Sequence, residues 1–299
     1  MSSTALNSTV IKQPNRLVLL GRYLRRNPSL SVGIGILLAL TLFTIYGLLT
    51  IDTKDAYPLA VRSKQPPSFR YPLGTDFFGR DLYAAMVIGL WQTAVIGLFA
   101  GALGTIVGTI LGFVSAYFGG VLDKVISSIC QILIPIPAFL IHVVVAGSID
   151  KRSVTILMMA LVVFMLAWMG PTLVIRAQVL TMKERQFVSV AKLSGMTSLG
   201  IIFKEILPNL LPFIAAAFVN QVFQAVFASL YLSVVGLGPL REPLLGNTLW
   251  FAQAQAAFFN GWWWWPVGPT VALALILASL ALINMGIDEL ANPRIRSSE

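Results

Sequence analysis

The chain has few charged residues. Asp, Glu, Lys and Arg together make up 11% of its 299 residues, whereas a soluble domain typically has about a quarter. The sequence is 57% hydrophobic, and its mean hydropathy is +0.82. Because so few charges would leave a water-facing surface largely apolar, the composition excludes an ordinary soluble protein and predicts an integral membrane protein.

Cysteine and histidine are also scarce, since Cys130 and His142 are the single examples. One cysteine excludes a disulfide within the chain, and one histidine leaves no cluster for a metal site. The sequence also lacks a G-x-x-x-x-G-K-[S/T] phosphate-binding loop, an H-E-x-x-H zinc motif and a G-x-S-x-G nucleophile turn. We therefore expect no catalytic residues, no metal and no cofactor on this chain.

The net charge of +9 would suggest a nucleic-acid partner in a soluble protein. Here the basic residues flank apolar runs, which is typical of signals that orient membrane helices and of contacts with lipid headgroups. We therefore expect contact with membrane lipid and no nucleic-acid partner. Arg16, Arg22, Arg25 and Arg26 precede the first apolar run, and they predict a cytoplasmic N-terminus.

Six apolar stretches are each long enough for a helix that crosses the hydrocarbon core, which needs about 20 residues. These spans are predicted near residues 31–51, 92–116, 125–147, 154–175, 207–233 and 266–286. Six spans place both termini on the cytoplasmic side. The predicted organisation is an N-terminal segment (1–27), a first transmembrane helix (28–51), an extracytoplasmic loop (52–91), a five-helix core (92–287) that includes an inner loop (183–205), and a cytoplasmic tail (288–299).

Small residues form a stripe along the second predicted span. Their spacings of three and four place them on one helix face, and small residues let two membrane helices approach closely. The stripe predicts a tight helix–helix contact and says little about the transported substrate. Its members are Gly97, Gly101, Gly104, Gly108, Gly112 and Ser115.

Polar residues inside the apolar spans are candidates for a pathway. In the fifth span Asn220 and Gln224 lie four residues apart, and Tyr231 continues that face together with Phe227. In the third span Gln131 and His142 share a face with Pro135 and Ala138. A buried amide in hydrocarbon must be paired or hydrated. Gln131, His142, Asn220, Gln224 and Tyr231 therefore either line a pathway or form hydrogen bonds between helices.

Asp, Glu, Lys and Arg are absent from the predicted membrane core. Proton-coupled carriers usually need such groups there, so their absence favours an external source of energy over a proton-driven carrier. The run Trp262 to Trp265 lies at the predicted outer edge of the sixth span. An aromatic belt at the membrane interface explains this run, and a stacking surface for a sugar or a peptide side chain is the alternative.

The largest predicted inner loop lies between the fourth and fifth spans. Val188, Ala191 and Leu193 give a short helix an apolar flank, Gly195 ends it, and a second helix starts near Ile201. From the residues alone, this segment is either a docking element or a solvated loop.

The same segment resembles the coupling loop of binding-protein-dependent ABC importer permeases. It reads FVSVAKLSGMTSLGIIFKEILPNLLP (187–212), whereas the family has E-A-A, a Gly four residues later, and then I-x-x-x-x-L-P. Gly195, Leu207 and Pro208 match this pattern. The E-A-A positions hold Ser189, Val190 and Ala191, followed by Lys192, so that a serine replaces the family Glu.

Three further stretches resemble the C-type permease subunit of dipeptide and oligopeptide importers. The stretch YPLGTDFFGRDLY (71–83) is similar to the G-T-D-x-x-G-R-D signature, and LSVVGLGP (232–239) and IDELANPRIR (287–296) match the end of the fifth span and the tail. The resemblance covers about residues 15 to 296. One departure is that Ser128 and Gln131 stand where the family often has Arg and Asp.

The resemblance implies an all-α integral membrane protein with the type I ABC importer permease fold, in which six transmembrane helices carry a cytoplasmic coupling helix. It implies a second homologous permease, two ATP-binding subunits that hold ATP and Mg²⁺, and an extracytoplasmic substrate-binding protein. The expected function is import of di- or oligopeptides across the cytoplasmic membrane. Import of oligosaccharides by the same type of complex and an ATP-independent secondary carrier are the alternatives.

Overall fold

The computed structural model of the protein describes residues 24–150 and 153–291. Over these residues the chain is helical, and its only β pairing is an isolated bridge between Thr75 and Asp81. The predicted all-α class is therefore confirmed. The predictions for Arg16 and Arg22, and most of those for the tail, lie outside the described residues.

The helices follow one another with short connections over most of the chain. Their bounds are α1 Pro28–Thr50, α2 Leu82–Phe118, α3 Gly120–Leu133, α4 Ala138–Gly147, α5 Ile156–Ala167, α6 Met169–Lys183, α7 Gln186–Leu193, α8 Ser198–Val234, α9 Leu245–Ala254 and α10 Trp264–Ala291. A 3₁₀ turn at Thr53–Ala56 follows α1, and the stretch Ile201–Ile206 of α8 is π-helical.

Five segments of the described chain are long and apolar enough to cross a membrane: α1, α2, the pair α5–α6, α8 and α10. The pair α3–α4 passes the same test together but is bent by 86°. The number of spans reaches the expected six if this pair is counted as one.

The third predicted span is therefore not the straight helix expected over 125–147. Pro135 and Pro137 lie in the break between α3 and α4. Proline has no backbone N–H and its ring collides with the preceding turn, and it disfavours helical backbone in the residue before it. Two prolines at this spacing end one helix and force the next to start in a new direction.

Helix α2 is the central element and begins ten residues before the predicted span near 92. Asp81 caps it, because its side chain accepts a hydrogen bond from the backbone N–H of Tyr83 at 2.9 Å. With 37 residues the helix is roughly 55 Å long, which exceeds the hydrocarbon thickness of about 30 Å. Its first turns pack against the 3₁₀ turn through Ala84, Ala85 and Ala56.

The small-residue stripe of α2 lies against two neighbouring segments. Gly97 and Gly101 face Val222 and Val226 of α8, whereas Gly104, Gly108 and Gly112 face the α5–α6 junction and the start of α6. A Cβ added at Gly101 would lie 2.9 Å from the backbone N of Val222. The backbones are thus close enough that only glycine fits.

Residues 52–81 fold into a compact unit, here named the cap, over the N-terminal end of α2. The Thr75 hydroxyl donates to the Arg62 carbonyl at 2.6 Å and accepts from the Gln65 N–H at 2.8 Å. The Trp264 indole N–H donates to the Thr75 carbonyl at 3.3 Å. These bonds tie the cap to itself and to the first turn of α10.

Most of the tryptophan run packs against other parts of the protein. Trp265 is fully buried with Leu82, Ala252 and Ala257, and Trp262 packs on Phe77 of the cap. Within the run, only Trp263 is mostly exposed. Trp262 and Trp265 thus take part in the packing between the cap, α9 and α10.

Candidate functional site: a neutral cavity and an exposed helical elbow

A cavity of about 650 Å³ lies between α4, the α5–α6 junction and α8. Apolar side chains from all three segments form most of its wall. Its polar lining consists of His142 from α4 and Asn220, Gln221, Gln224 and Tyr231 from α8. Within the described residues no Asp, Glu, Lys or Arg lines it. The cavity is therefore polar in places but neutral.

Four of the five residues predicted to line a pathway are brought together in this cavity, and Gln131 is not. Gln131 lies on α3 with its side chain exposed on the outside of the helix. The sequence argument missed Gln221, which lines the cavity and is mostly buried. The sequence did contain a signal for Gln221, because a second amide beside Asn220 in an apolar run also needs a hydrogen-bond partner or water.

His142 and Tyr231 are in direct contact across the cavity wall. The Nδ1 of His142 and the hydroxyl of Tyr231 are hydrogen-bond partners, although 89 residues separate them in sequence. Phe139 stacks edge-on against Tyr231 with ring centroids 5.1 Å apart. His142 therefore lines the cavity and also bonds to a neighbouring helix.

An ion pair lies where α3, α6 and the end of α2 meet. Arg176 donates from Nε and Nη2 to the two carboxylate oxygens of Asp123, at 2.5 and 2.8 Å. Ser115 and Ser127 also donate to Asp123. Arg176 directly follows the predicted span 154–175 and belongs to the apolar segment Ile156–Lys183. A bidentate, hydrogen-bonded pair makes such a position tolerable.

Residues 184–205 form a helix–glycine–helix arrangement, here named the elbow. Lys183, just before it, donates from Nζ to the Tyr117 carbonyl at 2.9 Å, so the elbow and the cap lie at opposite ends of α2. Gly195 has a φ of +77°, and the Met196 N–H donates to the Ala191 carbonyl at 3.1 Å. This is the hydrogen bond with which a glycine in the left-handed region terminates a helix.

Helix α7 of the elbow has two apolar faces. Val188 and Ala191 are buried against Ile201, Ile202 and Ile206 of α8. The other face bears Phe187, Val190 and Leu193, and Leu193 is 89% exposed. The predicted coupling-loop residues differ in exposure. Ala191 is buried and Leu207 is partly buried. The exposed ones are Ser189, Val190, Lys192, Gly195 and Pro208. The sequence argument missed Phe187 and the exposure of Leu193.

The charged motif of the cap is an internal structural unit. The Asp76 carboxylate accepts from the N–H groups of Phe78 and Arg80 at 2.8 and 2.9 Å, and from Arg80 Nε at 2.5 Å. Both side chains are at most 4% exposed, and the Arg80 guanidinium lies 4.9 Å from the ring centroid of Phe251. This part of the motif therefore orders the cap and holds it to α9.

A second contact joins the cap to the loop after α8. Glu242 accepts from the hydroxyl of Tyr57 at 3.3 Å and from Gln92 Nε2 at 2.5 Å. Burial and the neighbouring Glu242 carboxylate raise the pKa of Tyr57. The tyrosine therefore stays protonated near neutral pH and remains a donor to the carboxylate.

This architecture, with several apolar helices, a polar cavity among them and an amphipathic elbow at one end, defines a multi-pass membrane permease. Residues 104–297 match the family described as binding-protein-dependent transport system inner membrane component. Since the match covers more than half of the chain, the protein belongs to this family of ABC importer permease subunits.

Individual relatives match this chain over most of its length. The chain is 27% identical to the oligopeptide transport system permease protein OppC of Mycobacterium tuberculosis, over 94% of this chain and 96% of the relative. It is 26% identical to the dipeptide transport system permease protein DppC of Bacillus subtilis, over 92% and 85%. A chain of the MetNI methionine ABC transporter in inward-facing conformations has the same fold, with a TM-score of 0.53 and 20% identity, over 69% of this chain and 94% of that one.

Proposed function

We propose that this chain forms part of the translocation pathway of an ABC importer for short peptides, with the cavity between α4 and α8 as its share of the wall. The main support is the neutral, amide-bearing surface of this cavity. Asn220, Gln221 and Gln224 each offer both hydrogen-bond donors and acceptors. Such a surface pairs with the backbone groups of a peptide whatever its side chains are.

The substrate class is also supported by the relatives, which are named for oligopeptide and dipeptide transport. The tryptophan run was the sequence feature that suggested import of oligosaccharides. Trp264 and Trp265 pack within the protein instead of forming an open stacking surface, so this support is weakened. Membership of an ABC importer family likewise does not favour an ATP-independent carrier.

The elbow is the proposed docking site for an ATP-binding subunit. Phe187, Val190 and Leu193 form an exposed apolar stripe, and stripes of this kind mark interaction surfaces. Ser189 stands where the family has Glu, so the contact proposed here depends on the apolar stripe rather than on a carboxylate. Arg185, Lys192 and Lys204 are exposed around the stripe, and Glu184 is exposed beside them. The net positive charge favours a partner surface with an excess of acidic residues.

The remaining parts of the proposal concern the complex and its orientation. We assign ATP and Mg²⁺ to two separate ATP-binding subunits and no catalytic step to this chain. A second related permease completes the pathway, and a substrate-binding protein delivers the peptide on the side of the cap. The elbow and both termini then face the cytoplasm, and the complex resides in the cytoplasmic membrane.

The test combines purification with transport. The tagged chain, expressed with its partners and isolated in mild detergent, is expected to retain a second permease and P-loop subunits identifiable by mass spectrometry. The complex in proteoliposomes, supplied with its binding protein, is expected to import a labelled short peptide only when ATP is present. A chain that purifies alone and transports without ATP would contradict the proposal, as would import of oligosaccharides but not peptides.

Two glutamines provide matched variants for the cavity. Gln224→Leu removes an amide from the wall, whereas Gln131→Leu makes the same change at an exposed site outside the cavity. Peptide import is expected to fall about tenfold in the first variant and to stay near the wild-type rate in the second. Equal rates in the two variants would argue against the cavity as the pathway wall.

A further inference from the structure

We propose that the hydrogen bond between His142 and Tyr231 is a latch that holds α4 as a movable wall of the pathway, and that import requires this bond to open. The inference rests on the proposed function, since it concerns the same cavity. It assigns to both side chains a positioning role, because they act through the placement of α4 rather than through chemistry on the substrate.

Helix α4 is attached so that it can move as a unit. On its N-terminal side, the break with Pro135 and Pro137 separates it from α3 at an angle of 86°. Proline removes the helical hydrogen bonds that would make α3 and α4 one rigid rod. A short segment of this kind between two rigid helices is where a hinge rotation concentrates.

Helix α4 is held to the rest of the protein along one side. Only His142 and Ala146 are buried along its ten residues, whereas Phe139, Leu140 and Val144 are exposed. Ala146 packs in the apolar cluster with Met159 and Leu232, and the partly buried Val143 and Val145 pack against the same cluster. At the hinge end, the hydrogen bond from His142 and the edge-on contact of Phe139 both converge on Tyr231. Tyr231 is therefore the main fastening point near the hinge.

The latch is poised between two arrangements. His142 is 4% exposed, and its Nδ1 is hydrogen-bonded to the hydroxyl of Tyr231. Its Nε2 is buried beside the backbone of Val163 and makes no such bond to the described residues. When α4 swings away, both ring nitrogens and the Tyr231 hydroxyl can bond to water or to a peptide in the cavity. Opening therefore exchanges one bond for several and is not blocked by a large desolvation cost.

A substrate peptide would favour the open arrangement in the same way. Its backbone N–H and C=O groups can replace the partner that each latch residue loses. A ligand shifts such a two-state element only through its differential contacts with the two states, and these freed groups provide such contacts. The latch thereby couples the presence of substrate to the position of the wall.

Side-chain replacements separate a latch from a merely structural contact. In proteoliposomes with the complete complex and no ATP, Tyr231→Phe keeps the ring and removes the bond, so leakage of a small polar dye is expected to rise roughly two- to tenfold. His142→Leu should have the same effect, and the double variant should leak no more than either single one. His142→Asn places an amide near the position of Nδ1 and should restore low leakage. Tyr46→Phe, at an exposed tyrosine of α1, is the control.

Cross-linking tests whether the wall must move. His142→Cys with Tyr231→Cys, in a Cys130→Ser background, is treated with a short bifunctional thiol reagent that reduction can remove. Loss of peptide import after cross-linking and its recovery on reduction would support the latch. Import that continues in the cross-linked complex, or latch variants that lose stability without leaking, would overturn it while leaving the proposed function in place. A wild-type complex that imports no peptide would overturn both.

Discussion

The cap and the elbow lie at opposite ends of α2 and use their polar and apolar groups in opposite ways. In the cap, Asp76 and Arg80 are buried and bonded to each other, and the neighbouring ring of Trp265 is buried as well. In the elbow, Val190 and Leu193 are exposed although they are apolar. The cap satisfies its groups within the chain, whereas the elbow leaves a surface that needs a partner.

This difference shows how two motifs of similar prominence serve different ends. The G-T-D-x-x-G-R-D stretch has more charged residues than the coupling stretch, but its buried Asp76–Arg80 pair stabilises the cap itself. The coupling stretch has lost its Glu to Ser189, yet it presents an accessible face. A motif's chemistry therefore says less about its role than the exposure of its side chains does. The following changes test this comparison, ordered by the expected loss of stability.

The largest effect is expected for Asp76→Asn in the cap. The substitution leaves the Arg80 guanidinium buried without its counter-charge, and breaking a buried pair in this way typically costs about 3–5 kcal/mol. We expect a marked fall in the apparent melting temperature in detergent and a low yield. Asp52→Ser, which keeps an N-cap on an exposed turn of the same cap, should be close to wild type. An Asp76 variant with wild-type stability would contradict the claim that the Asp76–Arg80 pair stabilises the cap.

Gly101→Leu tests the packed region between the two ends. The new side chain would meet the backbone of Val222, and overpacking of this kind costs about 1–3 kcal/mol. The expected result is a lower melting temperature and weaker recovery of folded protein from membranes. Gly35→Ala is the control, because an added Cβ there has no atom within 4 Å. If both variants had the same melting temperature, the close packing of α2 against α8 at Gly101 would be contradicted.

A graded series at Gly195 tests the geometry of the elbow. Nothing lies within 4 Å of an added Cβ, so only the φ of +77° opposes a side chain. Gly195→Ala is expected to cost about 1 kcal/mol. Gly195→Asn should cost less, because Asn tolerates this conformation, and Gly195→Pro should cost most. Peptide import is expected to fall in the same order, with ATP hydrolysis uncoupled from uptake in the proline variant, while membrane insertion stays intact.

The smallest change in stability is expected for Leu193→Asp, because an exposed substitution usually alters stability by less than about 0.5 kcal/mol. Its effect on assembly should nevertheless be large, with co-purification of the ATP-binding subunits reduced more than tenfold. Phe69→Asp makes the same kind of change on the exposed cap and should retain those subunits. Loss of the ATP-binding subunits in both variants, or in neither, would contradict the claim that these subunits bind the elbow and not the cap.

Local signals in the sequence were reliable where one segment decides its own structure. The apolar runs predicted the membrane segments, the stripe from Gly97 to Gly112 lies on a packed face, and Gly195 ends a helix. Helix α2 starts ten residues before the predicted span because Asp81 acts as its N-cap. The charge-free run that begins at Leu82 is consistent with this start.

Contacts between distant residues escaped the sequence argument. Gln131 and Gln221 are both amides in apolar runs, but only the packing of α4 and α8 decides which one lines the cavity. The pair Asp123–Arg176 joins residues 53 apart, and His142–Tyr231 joins residues 89 apart. Helical periodicity specifies neighbours three or four residues away and contains no information on such pairs.

By itself, the sequence determined that this protein belongs in a membrane, that its helices approach closely along α2, and that it resembles an importer permease. These properties follow from composition, spacing and motif, which are local. The tertiary structure alone decided at what angle α4 leaves α3, that Trp265 is buried, that a neutral cavity forms beside α8, and that one face of α7 stays open. Each of these depends on which surfaces meet, and burial is a property of the packed molecule rather than of any single segment.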